Sequence, residues 1–245
     1  MQNNAEIDFK ALPDRLNLGC GFDKKRGYVN VDLSAAHHPD VVANVLNLDF
    51  LPKSHYSEII AQDILEHLPR TSTKRALLHW ASLLKRQGIL KIRVPDVLGA
   101  ASMLADRRNQ SIERQETIIQ NLFGTQAYTG DFHFTTFTEV VIRHYLQQCG
   151  FSIVEFKKMD SWLFDISAAK QKDVKPRDLD DFSDLLSGES ALPDFIGACY
   201  QQILGRQVDG EGLAFYLAEL EAGRVSKEQL ISILVSSEEY KKKRR

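Results

Sequence analysis

Two groups of residues in this chain have types and spacings that could do chemistry. The first is a pair of glycines, Gly19 and Gly21, directly after the apolar run at residues 15–18, with an acid, Asp32, near the end of a second run at 28–33. Residues without side chains let the backbone approach a ligand closely and aim its N–H groups at a polar end. A carboxylate at the end of a second strand can accept hydrogen bonds from both hydroxyls of a ribose. The second group is Asp63-x-x-Glu66-His67, together with a later segment, Asp131-Phe132-His133-Phe134-Thr135-Thr136-Phe137-Thr138. On a helix, positions 63, 66 and 67 share one face. A hydroxyl is a poor nucleophile at neutral pH and gains from a base or a Lewis acid. Mixed carboxylates and imidazoles can serve as bases, and they also suit Mg²⁺, Mn²⁺ or Zn²⁺.

These residues act together only if the elements between them form a suitable scaffold. Short apolar or alternating runs predict strands at residues 15–18, 28–33, 40–43, 57–61 and 89–94. Ala76, Leu77, Trp80, Leu83 and Leu84 recur at helical spacing and predict a helix over 71–85, with Gly88 as its C-cap signal. Residues 97–125 read as one amphipathic helix and 138–148 as another, ended by Gly150, before two last strands at 151–156 and 162–167 in a hairpin-like pair. Strands alternating with helices predict an α/β fold: a doubly wound, mostly parallel Rossmann-like sheet with ligands beyond the carboxyl ends of its strands.

Composition shifts near residue 170, giving a domain at 1–169, a linker rich in Lys, Asp, Pro and Ser at 170–190, and a small all-α module at 191–245. In the module, Gly205 and Gly223 end the first two helices, and Ser226 caps the third with Gln229 at the capping-box position. About 50 residues hide only a modest core, so the module is expected to dock on the first domain or on a protein partner.

A net charge of −2 with 43% apolar and 26% charged residues fits an ordinary globular chain without the basic excess of a nucleic-acid binder. No apolar signal core and no long apolar stretch is present, so no membrane span is expected. Cys20, Cys149 and Cys199 are far apart and odd in number, which argues against a disulfide framework and for a cytoplasmic setting.

Five segments in order resemble class I S-adenosylmethionine-dependent methyltransferases, particularly small bacterial ones associated with glycan biosynthesis. They are Leu16-Asn17-Leu18-Gly19-Cys20-Gly21, Val29-Asn30-Val31-Asp32, Asn44-Val45-Leu46-Asn47-Leu48, Ala61-Gln62-Asp63-Ile64-Leu65-Glu66-His67-Leu68 and Gly88-Ile89-Leu90-Lys91-Ile92-Arg93-Val94-Pro95. The resemblance covers roughly residues 14–168. It implies S-adenosyl-L-methionine as cofactor, held by Asn17, Gly19, Gly21, Asp32, Asn44, Val45 and Asp63. It also implies a sugar or glycan precursor as acceptor, with another small molecule or a protein as the alternative. The second group is similar to a metal-assisted subset of O-methyltransferases, which implies Glu66, His67 and His133, with Asp63 by position, as ligands of a divalent metal. His133, His67 and Asp63 are then the catalytic candidates, and without a metal His133 would be the general base.

The chain also departs from the family pattern. Asn17 stands where an acid is common, Asp23 replaces a third glycine, Asn44 replaces an acid near the adenine, and ten residues between Gly21 and Asp32 leave no room for a full crossover helix. A dinucleotide-dependent dehydrogenase would need that third glycine and that helix. A non-catalytic adaptor on a degraded scaffold is the rival reading from another class.

Other residues read more plainly. His37 and His38 fall in a polar loop and read as solvated, and His79 and His144 read as helix-face residues. Tyr128 and Trp162 could line an acceptor pocket, although core packing suits Trp162 better. Arg206 is expected to bridge to a carboxylate or helix end, and Asp209-Gly210-Glu211-Gly212 reads as a turn and helix start.

Overall fold

The apolar run near the start forms β1 (Arg15–Leu18). Six strands join it: β2 (Val29–Asp32), β3 (Val41–Val42), β4 (Tyr56–Gln62), β5 (Leu84–Pro95), β6 (Phe151–Met159) and β7 (Leu163–Lys170). The computed structural model describes residues 9, 11–127, 130–175, 182–186 and 190–243. The strands lie in the order β3-β2-β1-β4-β5-β7-β6. The first five pair in parallel, and β7 runs antiparallel between β5 and β6. This is the expected doubly wound α/β sheet, closed on one side by a hairpin. Strand order reverses between β1 and β4, and a crevice for ligands opens at the carboxyl ends of strands at such a point.

One face of the central strands is apolar and buried, while the alternate positions Glu58, Lys91, Arg93 and Asp165 on the other are only partly buried. Leu16, Val31, Ile59, Ala61, Leu90, Ile92, Phe164 and Ile166 are all buried. Helix α1 (Thr73–Leu83) adds Ala76, Leu77, Trp80 and Leu83 to that core. Burying such side chains stabilises the sheet by roughly 1.5–3 kcal/mol each.

Two expectations are corrected by these elements. Helix α1 ends at Leu83 because Leu84 takes extended backbone and opens β5 at once, so Gly88 is not its C-cap. Gly88 lies inside β5, where an added Cβ would come within 2.9 Å of the Lys85 carbonyl and 3.1 Å of the Tyr56 carbonyl. The ladder with β4 jumps from Tyr56–Leu84 to Glu58–Ile89, so residues 85–88 bulge out against Ser57 alone. The helix expected over 97–125 is broken into α2 (Val97–Ala105) and α3 (Ile112–Phe123) around a 3₁₀ turn at Arg107–Asn109. Asp106 accepts from the Arg108 N–H and Ser111 from the Arg114 N–H, and side chains that cap in this way start new helical segments. Helix α4 (Glu139–Gln148) starts at Thr138, whose hydroxyl accepts from the Val141 N–H.

Contacts divide the chain into units Met1–Val174 and Lys175–Arg245. Lys170, read as the start of the linker, instead ends β7. It is buried, donates to the Leu84 carbonyl at 2.9 Å and pairs with Asp173 at 2.6 Å. The second unit contains α5 (Leu192–Cys199), a π-helical turn at Tyr200–Leu204, α6 (Gly210–Glu221), α7 (Lys227–Ser236) and α8 (Glu238–Lys243). Phe195, Ile196, Cys199, Ile203, Leu230 and Leu234 form its core, which Phe182 joins. Gly205 and Gly223 end helical segments at positive φ, and the Ser226–Gln229 capping box is formed on both sides. Arg206 pairs with Glu239 and Asp209, and Asp209 caps α6 through the Gly212 N–H.

Tyr128, residues 176–181 and 187–189 of the expected linker, and Arg244 and Arg245 of the basic tail lie outside the described residues. Among the described residues, no helix is long and apolar enough to cross a membrane. Cys20, Cys149 and Cys199 are buried and form no disulfide.

Candidate functional site

At the carboxyl end of β1 the chain bends through Gly19 (φ +63°) and Gly21 (φ +50°), backbone that side chains disfavour. No helix follows. The loop to β2 is held by side chains instead: the Asn17 amide donates to the Asp23 carbonyl (2.9 Å) and to Asn30 Oδ1 (3.0 Å), which also accepts from the Lys25 N–H (2.8 Å). Asn17, which the resemblance assigned to the cofactor, is therefore turned into the loop and buried there. Its amide does the fastening that a crossover helix would otherwise do.

Asp32 faces the bend. Its Oδ2 accepts from the Gly21 N–H at 2.8 Å, and its Oδ1 accepts from the Ser34 N–H at 2.8 Å and lies 3.0 Å from His37 Nδ1. His37 is thus no mere solvated loop residue, since it helps fix the carboxylate, with Phe22 packed edge-on against its ring. An added Cβ on Gly21 would meet nothing within 4 Å, so the space before that residue is open. The space before Gly19 is taken by Ile64, whose Cδ1 would stand 1.8 Å from an added Cβ. Between the glycines, burial and then the charge of Asp32 push the Cys20 thiol up to about 11.

Across β3, Asn44 is exposed and accepts from the Leu46 N–H, and Val45 is buried with its carbonyl taken by Trp80 Nε1 at 3.0 Å. His79 also holds this loop, because its Nε2 accepts from the Leu48 N–H at 3.1 Å. Two adjacent α1 residues therefore fasten the segment that carries Asn44 and Val45.

The second group is brought together only in part. Asp63 takes left-handed backbone (φ +54°), and Leu65–His67 forms a 3₁₀ turn in place of the assumed helix, so 63, 66 and 67 share no face. The Asp63 carboxylate is bound by the Arg93 guanidinium at the end of β5. Glu66, His67 and His133 do converge: one nitrogen or oxygen of each lies within 4.8 Å of the others, and the two imidazoles meet edge-on at 4.8 Å. The fourth expected ligand, Asp63, is outside this group.

Backbone bonds hold the cluster. The Phe134 N–H donates to the Glu66 carbonyl at 2.7 Å, and the His133 N–H donates to the Phe123 carbonyl at the end of α3 at 3.1 Å. Gly124 permits that approach, because an added Cβ would stand 2.2 Å from the Asp131 carbonyl. His67 Nδ1 lies 3.2 Å from the Phe132 carbonyl, which can only accept, so Nδ1 carries a proton there and the neutral form of the ring has its lone pair on Nε2.

Glu66 is 2% exposed, and its Oε2 and the Nδ1 of His133 are buried without a hydrogen-bond partner. Burial, with a smaller push from Asp63, raises the Glu66 carboxyl to about 8. Burial and the neighbouring His67 lower the His133 pKa, which favours neutral imidazole. Orphaned buried polar atoms are costly, and a cation at the focus of the three would satisfy them. The donor set, one carboxylate and two imidazoles, suits a divalent transition metal.

Past the carboxyl end of β5, a cavity of about 370 Å³ opens between α2 and the β6–β7 turn, lined in part by Asp96, Leu98, Met103 and Lys158. Trp162 is only partly buried beside that turn. His144, on α4, has its ring tilted against that of Tyr145.

Residues 180–244 match the family model described as a domain of unknown function (DUF4214). No curated protein matches the chain in sequence. Among solved structures it is similar to a 1,6-didemethyltoxoflavin-N1-methyltransferase from Burkholderia thailandensis, with 15% identity over 64% of this chain and 71% of that one, TM-score 0.44. It is also similar to a protein from Bordetella parapertussis described as a possible exported protein (13%, 66% and 63%, 0.48). A third is a SAM-dependent methyltransferase from Methanosarcina mazei (18%, 64% and 92%, 0.47).

Proposed function

We propose that the chain transfers a methyl group from S-adenosylmethionine to a hydroxyl of a small acceptor. One observation carries the reading: at the point where strand order reverses, the carboxylate of Asp32 is held against the N–H of Gly21, with open space before that glycine. A ribose beside Gly21 would find free lone pairs on Asp32 Oδ2 and no side chain in its way.

The donor supplies an electrophilic methyl group on a cationic sulfur. For its part, the chain holds the donor's sugar through Asp32 and presents neutral His133 to the acceptor. His133 takes the hydroxyl proton as the oxygen becomes a nucleophile. Most of the acceleration then comes from holding oxygen and methyl carbon in line. In the metal-assisted form of the same reading, Glu66, His67 and His133 would instead hold a divalent cation: the single lone pair of neutral His133 would then go to the metal, and the cation, by lowering the pKa of a hydroxyl placed beside it, would take over the activation.

The acceptor class, a sugar or glycan precursor, is supported by motif resemblance alone, and buried cysteines without a disulfide support a cytoplasmic setting. In this reading the helical unit takes no part in the chemistry and serves docking, to a protein partner or to the first unit. A second reading, an adaptor that has lost donor binding, is favoured by the Ile64 side chain that fills the space before Gly19. Calorimetry with S-adenosylmethionine and S-adenosylhomocysteine separates the two. Saturable binding of either supports the enzyme, and heat-silent titrations of both at high concentration remove it.

A further inference from the structure

The cavity past the carboxyl end of β5 is lined by none of the residues proposed to hold the donor or to activate the acceptor. Its shape depends on a glycine. An added Cβ on Gly99 would stand 2.1 Å from the Ser161 carbonyl, so the missing side chain lets the β6–β7 turn close against α2. The turn itself is tight, with Asp160 and Ser161 both at positive φ. At about 370 Å³ the space falls within the roughly 300–1,000 Å³ usual for small-ligand pockets.

Two opposite charges line this cavity without forming a hydrogen bond to each other. Asp96 is 3% exposed, and its Oδ1 caps α2 by accepting from the Leu98 N–H at 3.1 Å. Among the described residues its Oδ2 accepts no hydrogen bond, and Lys158 Nζ stands 3.8 Å away, too far for one. That ammonium is also 3.8 Å from Glu139, so it donates closely to neither carboxylate. The other acid of the lining, Asp106, is already bound by the Arg108 guanidinium. A ligand anion would meet the buried Asp96 carboxylate, and a ligand cation would meet Lys158. A hydroxyl suits both, because it accepts from the ammonium while donating to Oδ2. Ser102 donates to the Leu98 carbonyl, so its oxygen can accept from a second hydroxyl, and Leu98 and Met103 supply apolar wall. A compact ring with hydroxyls on its rim and C–H groups on its face meets both kinds of lining.

We propose that this cavity binds a pyranose sugar ring, with its hydroxyls on Asp96, Lys158 and Ser102 and its C–H face on Leu98 and Met103. The site stands whether or not the chain transfers methyl groups. Its sugar belongs either to the methyl acceptor or to a separate ligand, and the chemistry of recognition is the same for both.

The probes are methyl pyranosides of the gluco, galacto and manno series, with tetrahydropyran, the ring without hydroxyls, as control. Each is titrated into the full, isotope-labelled chain and followed by NMR. At least one pyranoside should give saturable millimolar shifts at the amides of Leu98, Ser102 and Ser161, and tetrahydropyran should give none. Asp96→Asn keeps a residue that caps helices but takes away the charge, and Lys158→Met removes the ammonium from an exposed side chain. Each should weaken pyranoside binding about tenfold or more, as expected for a lost hydrogen bond to a charged group. Absence of saturable shifts with every pyranoside overturns the proposal, as do equal shifts with tetrahydropyran. So does an affinity that Lys158→Met leaves unchanged, and that variant decides the matter if Asp96→Asn does not fold. Adding S-adenosylmethionine to the bound pyranoside identifies its source: a methylated product makes it part of the acceptor, and an unaltered one makes it a separate ligand. Loss of the donor reading shows separately, as failure of S-adenosylhomocysteine to bind a chain whose pyranoside shifts are intact.

Discussion

Asp63 and Arg93 form a side-on carboxylate–guanidinium pair across the ends of β4 and β5, with Nε 2.7 Å from Oδ1 and 3.0 Å from Oδ2. The pair commits Asp63 to a neighbouring strand and withdraws it from the three residues that converge beside it. Asp63→Asn should cost about 1 kcal/mol, because both side chains are a third or more exposed and solvent screens the pair. Asparagine also tolerates the left-handed backbone there. Zinc or cobalt affinity, read by equilibrium dialysis, should be unchanged in Asp63→Asn and fall at least tenfold in His133→Ala. Equal losses in the two variants would return Asp63 to the ligand set and refute the three-residue assignment.

The two glycines of the bend should respond differently to alanine. Gly19→Ala puts a methyl group 1.8 Å from Ile64 Cδ1 and 2.6 Å from Cγ1 at φ +63°, so strain and overpacking together should cost about 3 kcal/mol in denaturant unfolding. Gly21→Ala meets open space and should cost only about 1 kcal/mol, the backbone penalty alone. Its damage should appear instead as a loss of S-adenosylhomocysteine affinity, measured by calorimetry. A Gly21→Ala chain that binds the product as well as wild type would mean the donor lies elsewhere.

Asp32 and His37 divide one task unequally. Asp32→Ala removes the acceptor of the Gly21 and Ser34 N–H groups as well as the proposed ribose contact, and should weaken S-adenosylhomocysteine binding by about a hundredfold. His37→Ala removes only one support of the carboxylate and should weaken it by roughly tenfold or less, while His37→Gln, which retains a donor, should recover most of that loss. Identical losses in both alanine variants would contradict a supporting role for His37.

His79 should make the fold sensitive to acid. Burial lowers its pKa from 6.5, and its Nε2 can accept from the Leu48 N–H only while unprotonated. Below about pH 6.5 the unfolded chain binds a proton that the folded chain refuses, so stability falls as the pH drops through and below that value. His79→Gln keeps an acceptor without the titration, and its unfolding midpoint should change less between pH 7 and pH 5.5. Parallel pH profiles for the two proteins would assign the acid sensitivity to other groups.

Local pattern carried much of the fold and part of the site. Runs of β-branched residues marked the strands, Thr138 and Ser226 marked helix starts, and the bend at Gly19 and Gly21 stood beside Asp32 as the spacing implied. Partners distant in sequence were not legible. Nothing in Asp63-x-x-Glu66-His67 reveals that Asp63 turns to an arginine 30 residues on, or that the chain makes a 3₁₀ turn where helical spacing was assumed. His79 looked like a helix-face residue because its acceptor role depends on a loop 31 residues earlier. His37 left a faint signal, being an imidazole five residues past the acid it supports. The break in the helix at 97–125 has a signal in the sequence, since Asp106 and Ser111 are both capping types.

The β6–β7 hairpin has one more consequence, for how copies of this chain meet. β6 is the outermost strand on its side, and a free strand edge invites pairing with another molecule. Its register shifts between Ile153 and Glu155, and it carries Glu155, Lys157 and Lys158, all exposed, along its outer half. On the opposite flank β3 is only two residues long. Both margins are thus poor templates for strand addition, so crowding of folded copies should not nucleate cross-β aggregates through this sheet.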